Sequence, residues 1–358
     1  MAAQISHIIA GEEALASADP GLAALYKREG RGSRDAAPWF RLGCQGPDIF
    51  YHNQRTKPSG LHYGALAHRK NFGLTVQGAL ASILETEASL DSPAVAWILG
   101  FATHAALDRA THPFIVCFSG WADPALKGSE RYRSCHPFLE RLLDLGLLAQ
   151  LRGISGADFG LASSLPSEER LDIEIPRLVG ILAAGLRFAY PRSAGTDTLL
   201  ERRIANAFSD SMSFFAATDP ARTRGAGPEY FGRLEAGASP RSVSLIYPES
   251  LPENLDFMNK RRESWPHPSG DGRVYDSGYL ELYAQAVETA AFAIGLVLDC
   301  LRGGALPIGI AAAIGNGGLS VTDPAGIPLP PRISKPLPLS AIMEAEFARR
   351  KLLISSPH

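Results

Sequence analysis

The segment GFATHAALDRATHPF constrains this chain more than any other feature of its sequence. It places His104, Asp108 and His112 four residues apart inside a long apolar stretch that runs from Ala94 to Phe118. On an α-helix, steps of four residues return to nearly the same direction, so the three side chains share one stripe of an otherwise apolar helix. Unpaired polar groups of this kind are costly in a dry interior, and a divalent ion removes that cost. The segment therefore predicts a metal site on a buried helix.

The same stretch argues against a membrane span, because His104, Asp108, Arg109 and His112 would all be costly in lipid. We therefore expect no transmembrane segment. The start, MAAQISHIIAGEEALA, lacks the positive region and the long apolar region of a signal peptide. Four cysteines without a C-x-x-C pair favour a reducing compartment over a disulfide framework. These features predict a cytoplasmic protein.

Helical periodicity recurs along the chain, and strand-like alternation is scarce before residue 300. The sequence thus predicts an all-α fold, with a helical domain over residues 1–300 and a Gly- and Pro-rich C-terminal extension over residues 301–358. That extension is expected either to pack loosely or to wrap the domain. Residues 219–254 are expected to be a long surface excursion. The predicted helices cover residues 64–90, 93–112, 137–151, 173–189, 197–216, 277–301 and 340–353.

A second candidate pair lies beyond the first motif. His136 precedes a proline that suits the first turn of a helix, and Glu140 lies one turn further on, so the two can share one ion. Taken alone, this H-x-x-x-E spacing is common. Asp144 continues the same face, although pairing with an arginine such as Arg141 is the ordinary alternative.

Three single residues are weaker candidates for metal binding. Asp48 follows a Gly-Pro turn and could equally form an Asx turn or a helix cap. His62 lies at the start of the helix that is predicted from residue 64. His7 lies close to the N-terminus.

Taken in order, these elements resemble the zinc-dependent phospholipase C family, which is related to the fungal zinc-dependent single-strand nucleases. The similarity rests on His7, GPDIF, LH, GFxxHxxLDxxxHPF and HxxxE, and it resumes at NLDFMNKRRESWPHP. The resemblance implies a helical bundle with two to three zinc ions at one end. It implies a first ion held by Asp48, His62, His104 and Asp108, a second held by His112, His136 and Glu140, and a third held by His7 and by Asp108 as a bridge.

The chain departs from the family at its start. Secreted family members complete the third ion with a processed N-terminal amine, and here the amine of Ala2, after removal of Met1, is the candidate replacement. His267 follows Trp265 in the later block of the resemblance and is expected to be structural, whereas His52, His68 and His358 match nothing in the pattern. All four are expected to be non-ligands.

Clustered zinc ions suit phosphate-ester hydrolysis, because they activate water and stabilise charge that develops at phosphorus. The candidate catalytic residues are Asp48, which would orient or deprotonate the water, and Asp108, which would bridge two ions. The predicted function is zinc-dependent hydrolysis of phosphate esters, first of all phospholipase C-type cleavage of a phosphodiester in a phospholipid. Lipid access would need an exposed apolar rim, for which the candidates are Phe50, Tyr51, Trp121 and Phe138.

Three alternatives remain open. A nuclease would need aromatic platforms and a positive groove, and a formal net charge of −2 gives no strong nucleic-acid signal. A small-molecule phosphoesterase could use the same site. In a non-catalytic protein, zinc could serve only to hold the helices together. Eight ligands for three ions leave open coordination positions, however, which favours catalysis.

Overall fold

A computed structural model describes residues 4–27, 36–86, 88–226, 230 and 239–355. This part of the chain is mostly helical, which confirms the all-α prediction. Its α-helices are α1 (Gln4–Ala18), α2 (Pro20–Tyr26), α3 (Ala37–Cys44), α4 (Ile49–His52), α5 (Leu61–Arg69), α6 (Phe72–Leu84), α7 (Pro93–Ser119), α8 (Cys135–Leu147), α9 (Gly156–Phe159), α10 (Glu168–Ala189), α11 (Leu200–Thr218), α12 (Pro220–Thr223), α13 (Tyr279–Gly303), α14 (Ile310–Ile314) and α15 (Leu339–Ser355).

Shorter elements connect these helices. Single 3₁₀ turns cover Gly46–Asp48, Ser129–Tyr132 and Ala162–Ser164, a longer one covers Pro240–Leu245, and a π-turn covers Leu148–Arg152. Within the described residues, the one sheet consists of two short antiparallel strands, β1 (Trp265–Pro266) and β2 (Val274–Tyr275).

The central element is α7, whose residues are buried along nearly the whole helix. It begins as the sequence predicts, with Pro93 in the first turn and the Ser92 side chain accepting a hydrogen bond from the Val95 amide. Helices α1, α3 and α13 pack against it.

Two glycines bring α3 and α7 into backbone contact. A Cβ atom on Gly43 would lie 2.1 Å from the carbonyl oxygen of Trp97, and one on Gly100 would lie 2.0 Å from that of Phe40. No larger residue fits at either position without separating the helices. This close packing brings the end of α3, and the turn that follows it, against the polar stripe of α7.

Helix α7 extends past Pro113 to Ser119, further than the predicted end at residue 112. Proline disfavours this continuation locally. Aromatic packing offsets that cost, because the buried Phe114 ring lies 5.6 Å from Trp265 and 5.7 Å from Tyr279. His112 therefore lies within the helix instead of at its end.

The helix predicted over residues 64–90 is two helices, α5 and α6. Lys70 is extended, and Asn71 has a left-handed backbone with φ of 64°. Asparagine tolerates this conformation better than most residues, and the Asn71 amide donates to the carbonyl of Asn316. The break therefore depends on a contact with the distant C-terminal segment.

The remaining long helices lie within a few residues of their predicted positions. The stretch predicted as a surface excursion differs, because residues 242–248 are buried. Val243, Ile246 and Tyr247 join the hydrophobic core there. Their apolar side chains explain the burial, although the flanking Pro and Gly residues suggested exposed loops.

The segment 315–338, here called the C-terminal strap, lies across α5, α6 and α7. Its backbone pairs with α5 and α7: Leu319 N donates to His68 O, Lys335 N donates to Cys117 O, and Leu337 N donates to Phe118 O. The Leu319 side chain is fully buried. The strap therefore wraps the helices that carry the metal-binding motif.

Among the described residues, one helix, α13, is long and apolar enough to cross a membrane by length and composition. In this fold α13 packs against α7 and α1, and buries residues such as Ala286, Ile294 and Val297 in the shared core. The four cysteines are all buried and free.

Candidate metal centre

Eight side chains of metal-binding type meet where α1, α5, α7, α8 and the turn after α3 come together. They form three groups, in each of which the ligand atoms lie within 4.8 Å of one another. The groups are His7, His104 and Asp108; Asp48, His68 and His104; and His112, His136 and Glu140.

Asp108 lies at the centre of this cluster. Its Oδ1 atom is 3.2 Å from Nε2 of His7, and its Oδ2 atom is 3.2 Å from Nε2 of His104. The same Oδ2 atom lies 3.5 Å from Nε2 of His68 and 3.6 Å from Nδ1 of His112. One carboxylate thus faces four imidazoles on three helices, a position that suits the bridging role the resemblance implies for Asp108.

The turn Gly46–Asp48 brings Asp48 against His104. Gly46 has a positive φ of 54°, and a Cβ atom there would lie 2.3 Å from Cγ of His104. Only glycine combines this backbone with so close an approach. The predicted Gly-Pro turn therefore positions the Asp48 carboxylate and also packs directly against the His104 ring.

His68, and not His62, is the histidine of α5 that the structure brings to the cluster. Nε2 of His68 lies 2.9 Å from Oδ1 of Asp48. His62 is exposed, with its ring tilted against that of Tyr63 at a centroid distance of 3.9 Å. The expectation that His62 joins Asp48, and that His68 does not, therefore differs from the geometry. Because His62 and His68 are six residues apart on the helix, their side chains point about 120° apart and cannot share a face.

A signal for this was present in the sequence. Two of the three small residues of α5, Gly64 and Ala67, face inward; a Cβ atom on Gly64 would lie only 3.0 Å from Cβ of Phe50. His68 follows Gly64 by one helical turn and lies on that inward face. His62 lies on the same exposed face as Ala65.

The third group joins α7 and α8. Oε1 of Glu140 lies 3.1 Å from Nε2 of His136 and 3.6 Å from Nε2 of His112. His136 is the second residue of α8, close to the predicted helix start. Its side chain is 29% exposed, compared with 2% for Glu140, so this group lies at the solvent-facing end of the cluster.

A buried carboxylate anchors the helix that carries His7. Asp144 accepts hydrogen bonds from the amides of Ile5 and Ser6, at 3.1 and 2.7 Å, and from the hydroxyls of Ser6 and Tyr247. It thereby satisfies the free amides at the start of α1. Asp144 belongs to none of the three metal-type groups among the described residues. Ala2, the candidate amine ligand, lies outside the described residues.

Backbone carbonyls orient three of the imidazoles in the same way. Nδ1 of His68 donates to Gly64 O at 2.8 Å, and Nδ1 of His104 donates to Cys44 O at 3.2 Å. Nδ1 of His112 donates to Leu319 O at 2.9 Å. With a proton fixed on Nδ1, each ring turns Nε2 toward a carboxylate, which is the arrangement that metal-binding histidines adopt.

Neighbouring imidazoles hold the carboxyl groups ionised. Burial alone raises the pKa of all three carboxyl groups. For Asp48, a hydrogen bond to His68 and the charges of His104 and His68 together outweigh burial and hold the pKa well below its usual range. Nearby histidines do the same for Asp108. The charge of His136 lowers the pKa of Glu140 to about 2. The centre therefore carries three buried negative charges.

The pKa values of two imidazoles are raised, whereas those of the carboxyl groups are lowered. Burial lowers the pKa of His68, but hydrogen bonds to Asp108 and Asp48 raise it to about 10. Burial likewise lowers the pKa of His112, but the charge of Asp108 and a hydrogen bond to Glu140 raise it to about 9. Protons on these rings supply positive charge that a bound cation would supply in their place.

The donor set fits zinc. Among the described residues, three buried atoms of the cluster have no hydrogen bond of good geometry: Nε2 of His104, Oδ2 of Asp108 and Oε2 of Glu140. Burial also lowers the pKa of His104, which favours a neutral ring. Donors around a tetrahedral zinc ion lie about 3.3 Å apart, since each is about 2.0–2.1 Å from the ion. The contacts between 2.9 and 3.6 Å match this spacing.

The other histidines have different surroundings. His52 is buried and stacks on Phe214, with ring centroids 4.2 Å apart. His267 forms a 2.7 Å hydrogen bond with Ser269. Neither belongs to a metal-type group among the described residues, and His358 lies outside them.

The zinc-dependent phospholipase C family model matches residues 6–162, a range that includes all eight clustered side chains. This segment is similar to the zinc-dependent phospholipase C family, and the match covers less than half of the chain. The resemblance inferred from the sequence is thus confirmed. No curated protein and no solved structure matches the chain.

The family that residues 6–162 match implies hydrolase chemistry, and the donor groups support zinc as the cofactor. The matched range ends before α10, so the strap lies outside it. The apolar rim expected for lipid access is only partly present, because Phe50 and Phe138 are fully buried. Tyr51 and Trp121 are half-buried.

Proposed function

We propose that this protein hydrolyses phosphodiesters at a zinc centre, with a phospholipid-type substrate as the first candidate. The position of Asp108 carries this proposal, because its two oxygens face different histidines at 3.2 Å. A carboxylate in that position suits a bridge between two cations. Buried imidazoles and carboxylates that served only the fold would be expected to form complete hydrogen bonds, and three atoms here do not.

The proposed ligands are those that the resemblance implies, except that His68 replaces His62. One ion would be held by Asp48, His68, His104 and Asp108; a second by His112, His136 and Glu140; and a third by His7 with Asp108. His104 has one free nitrogen, Nε2, so it serves one ion only even though it belongs to two groups.

Bound zinc supplies positive charge that polarises the phosphate and makes a nearby water acidic enough to act as a nucleophile at neutral pH. The chain fixes the donors for this chemistry through the carbonyls of Gly64, Cys44 and Leu319. Asp48 is ionised and faces His68, so we assign it to ligation and to orienting the water; its low pKa makes it a weak proton acceptor. The exposed side of His136 is the proposed entry for substrate.

Hydrolysis assays with and without chelator test the proposal. Zinc-loaded protein is incubated with bis(p-nitrophenyl) phosphate, p-nitrophenyl phosphate, short-chain phosphatidylcholine and single-stranded DNA. We expect chelator-sensitive cleavage of the diesters, phosphatidylcholine included, which added zinc restores.

Each alternative corresponds to a different result of that assay. Cleavage of the monoester alone would indicate a small-molecule phosphoesterase, and cleavage of DNA in preference to lipid would indicate a nuclease. Full zinc content without hydrolysis of any of the four substrates would indicate a structural centre and would contradict the proposal.

A further inference from the structure

Leu319 joins two of the clustered histidines through its backbone alone. Its amide donates to the carbonyl oxygen of His68 at 2.8 Å, and its carbonyl accepts from Nδ1 of His112 at 2.9 Å. His68 lies on α5 and His112 lies on α7, and they belong to different metal-type groups. One residue of the strap therefore links the two halves of the centre.

The contact with His112 fixes which ring nitrogen faces the third group. Because Leu319 O accepts the Nδ1 proton, Nε2 of His112 is left to face Oε1 of Glu140, 3.6 Å away. A histidine that loses this acceptor can rotate or change tautomer, and either change moves the Nε2 lone pair. Partners of this kind outside the ligand set typically change metal affinity by about 10- to 100-fold.

Arg109 holds the strap next to the centre. Its guanidinium donates to the carbonyl oxygens of Ile314 and Gly315 at 2.8 and 2.9 Å, at the end of α14 where the strap begins. Gly315 has a positive φ of 95°, and a Cβ atom there would lie 2.9 Å from the guanidinium. The start of the strap thus packs directly on the residue that follows Asp108.

We propose that the strap contributes to metal binding, because the carbonyl of Leu319 orients the ring of His112. Leu319 is thus a positioning residue for His112. The ion held by His112, His136 and Glu140 then depends on a segment that lies outside the matched family range, whereas the ion held by Asp48, His68 and His104 depends on it less. This inference rests on the metal centre of the proposed function and adds a structural requirement to it.

Two glycine substitutions in the full-length protein form a matched test. Gly315→Ala and Gly309→Ala both place a side chain on a backbone of nearly equal positive φ, 95° and 91°. The new methyl group meets Arg109 at position 315 but nothing within 4 Å at position 309. Both variants therefore carry a similar backbone penalty, and only one disturbs the attachment of the strap.

Zinc retention is the readout. Each zinc-loaded variant is dialysed against a graded series of competing chelator, the zinc per chain is measured, and the experiment is repeated with Co²⁺ to follow the absorption spectrum of each site. We expect Gly309→Ala to match the wild type. We expect Gly315→Ala to release one fraction of its zinc at about 10-fold or more lower chelator concentration, with the remainder held as in the wild type.

Equal retention in all three proteins would overturn the inference, as would equal loss in the two variants. If Gly315→Ala does not fold, Arg109→Lys replaces it, since lysine keeps the positive charge beside Asp108 but cannot bind both carbonyls. Turnover is measured separately. Selective zinc loss in a protein without hydrolase activity would support the strap's role and contradict only the proposed function.

Discussion

Asp48 and His68 face each other across 2.9 Å, from Oδ1 to Nε2, on a turn and a helix that the sequence places in separate elements. This contact brings His68, and not His62, to the candidate centre. His62, on the other side of the same helix, is exposed. A motif of the form Leu-His at the right distance from Asp48 is thus less informative than the helix face on which each histidine lies.

Exchanging each of these histidines for alanine gives the first prediction. His68→Ala removes an imidazole that faces two carboxylates, so we expect loss of at least one zinc ion per chain and a fall in kcat/KM of about 100-fold or more. His62→Ala is the control on the same helix and should keep both zinc content and turnover. Metal analysis and diester hydrolysis check this. Loss of zinc and turnover in His62→Ala, but not in His68→Ala, would show that His62 is the ligand.

The second prediction concerns the bridging carboxylate. Asp108→Asn keeps the shape of the side chain but removes the charge that faces His7, His68, His104 and His112. We expect zinc content and hydrolysis to fall together, with kcat/KM lower by about 1000-fold. A melting curve in chelator checks that the variant folds. A variant with full zinc and full turnover would rule out the bridge.

The third prediction tests how the turn Gly46–Asp48 supports His104. Gly46→Ala forces a Cβ atom onto a left-handed backbone and into the His104 ring, so we expect a loss of stability of more than about 1–2 kcal/mol together with weaker zinc binding. Gly128→Ala is the matched control, since φ there is 85° and nothing lies within 4 Å of the new atom. It should lower the melting temperature without altering zinc content; equal zinc loss in both would contradict the role of Gly46.

Removal of metal gives the fourth prediction. Three buried carboxylates and the histidines around them lose their compensating cations, so the chelated protein should unfold at a lower temperature. Ligand at 1000 times its Kd stabilises a protein by about 4 kcal/mol, which sets the scale expected for saturating zinc. Calorimetry with chelator and after zinc restoration measures it. An unchanged melting temperature would show that no cation is bound in the folded protein.

The sequence was most informative where spacing along one helix determines geometry. The stripe of His104, Asp108 and His112 follows from helical period alone, and the structure keeps it in one helix. Choosing between His62 and His68 required the inward face of α5, which depends on how Gly64 packs against α4. Small residues gave only part of that signal, because Gly64 and Ala67 face inward whereas Ala65 faces outward.

Other features had no local signal. Leu319 acts through its amide and carbonyl, which every residue except proline possesses, so its identity predicts nothing about His112. The break at Asn71 depends on a backbone contact with Asn316, far along the chain. The continuation of α7 beyond Pro113 depends on aromatic packing of Phe114 from other segments. Each is a tertiary effect that overrides local preference.

An anomalous difference map at the zinc absorption edge, from crystals of the zinc-loaded protein, would locate the ions themselves. We expect strong peaks about 2.0–2.2 Å from Nε2 of His68 and His104 and from the Glu140 carboxylate, with Asp108 between two of them. Crystals that contain zinc but show no peak within bonding distance of Asp108, His68 or Glu140 would contradict the proposed metal centre.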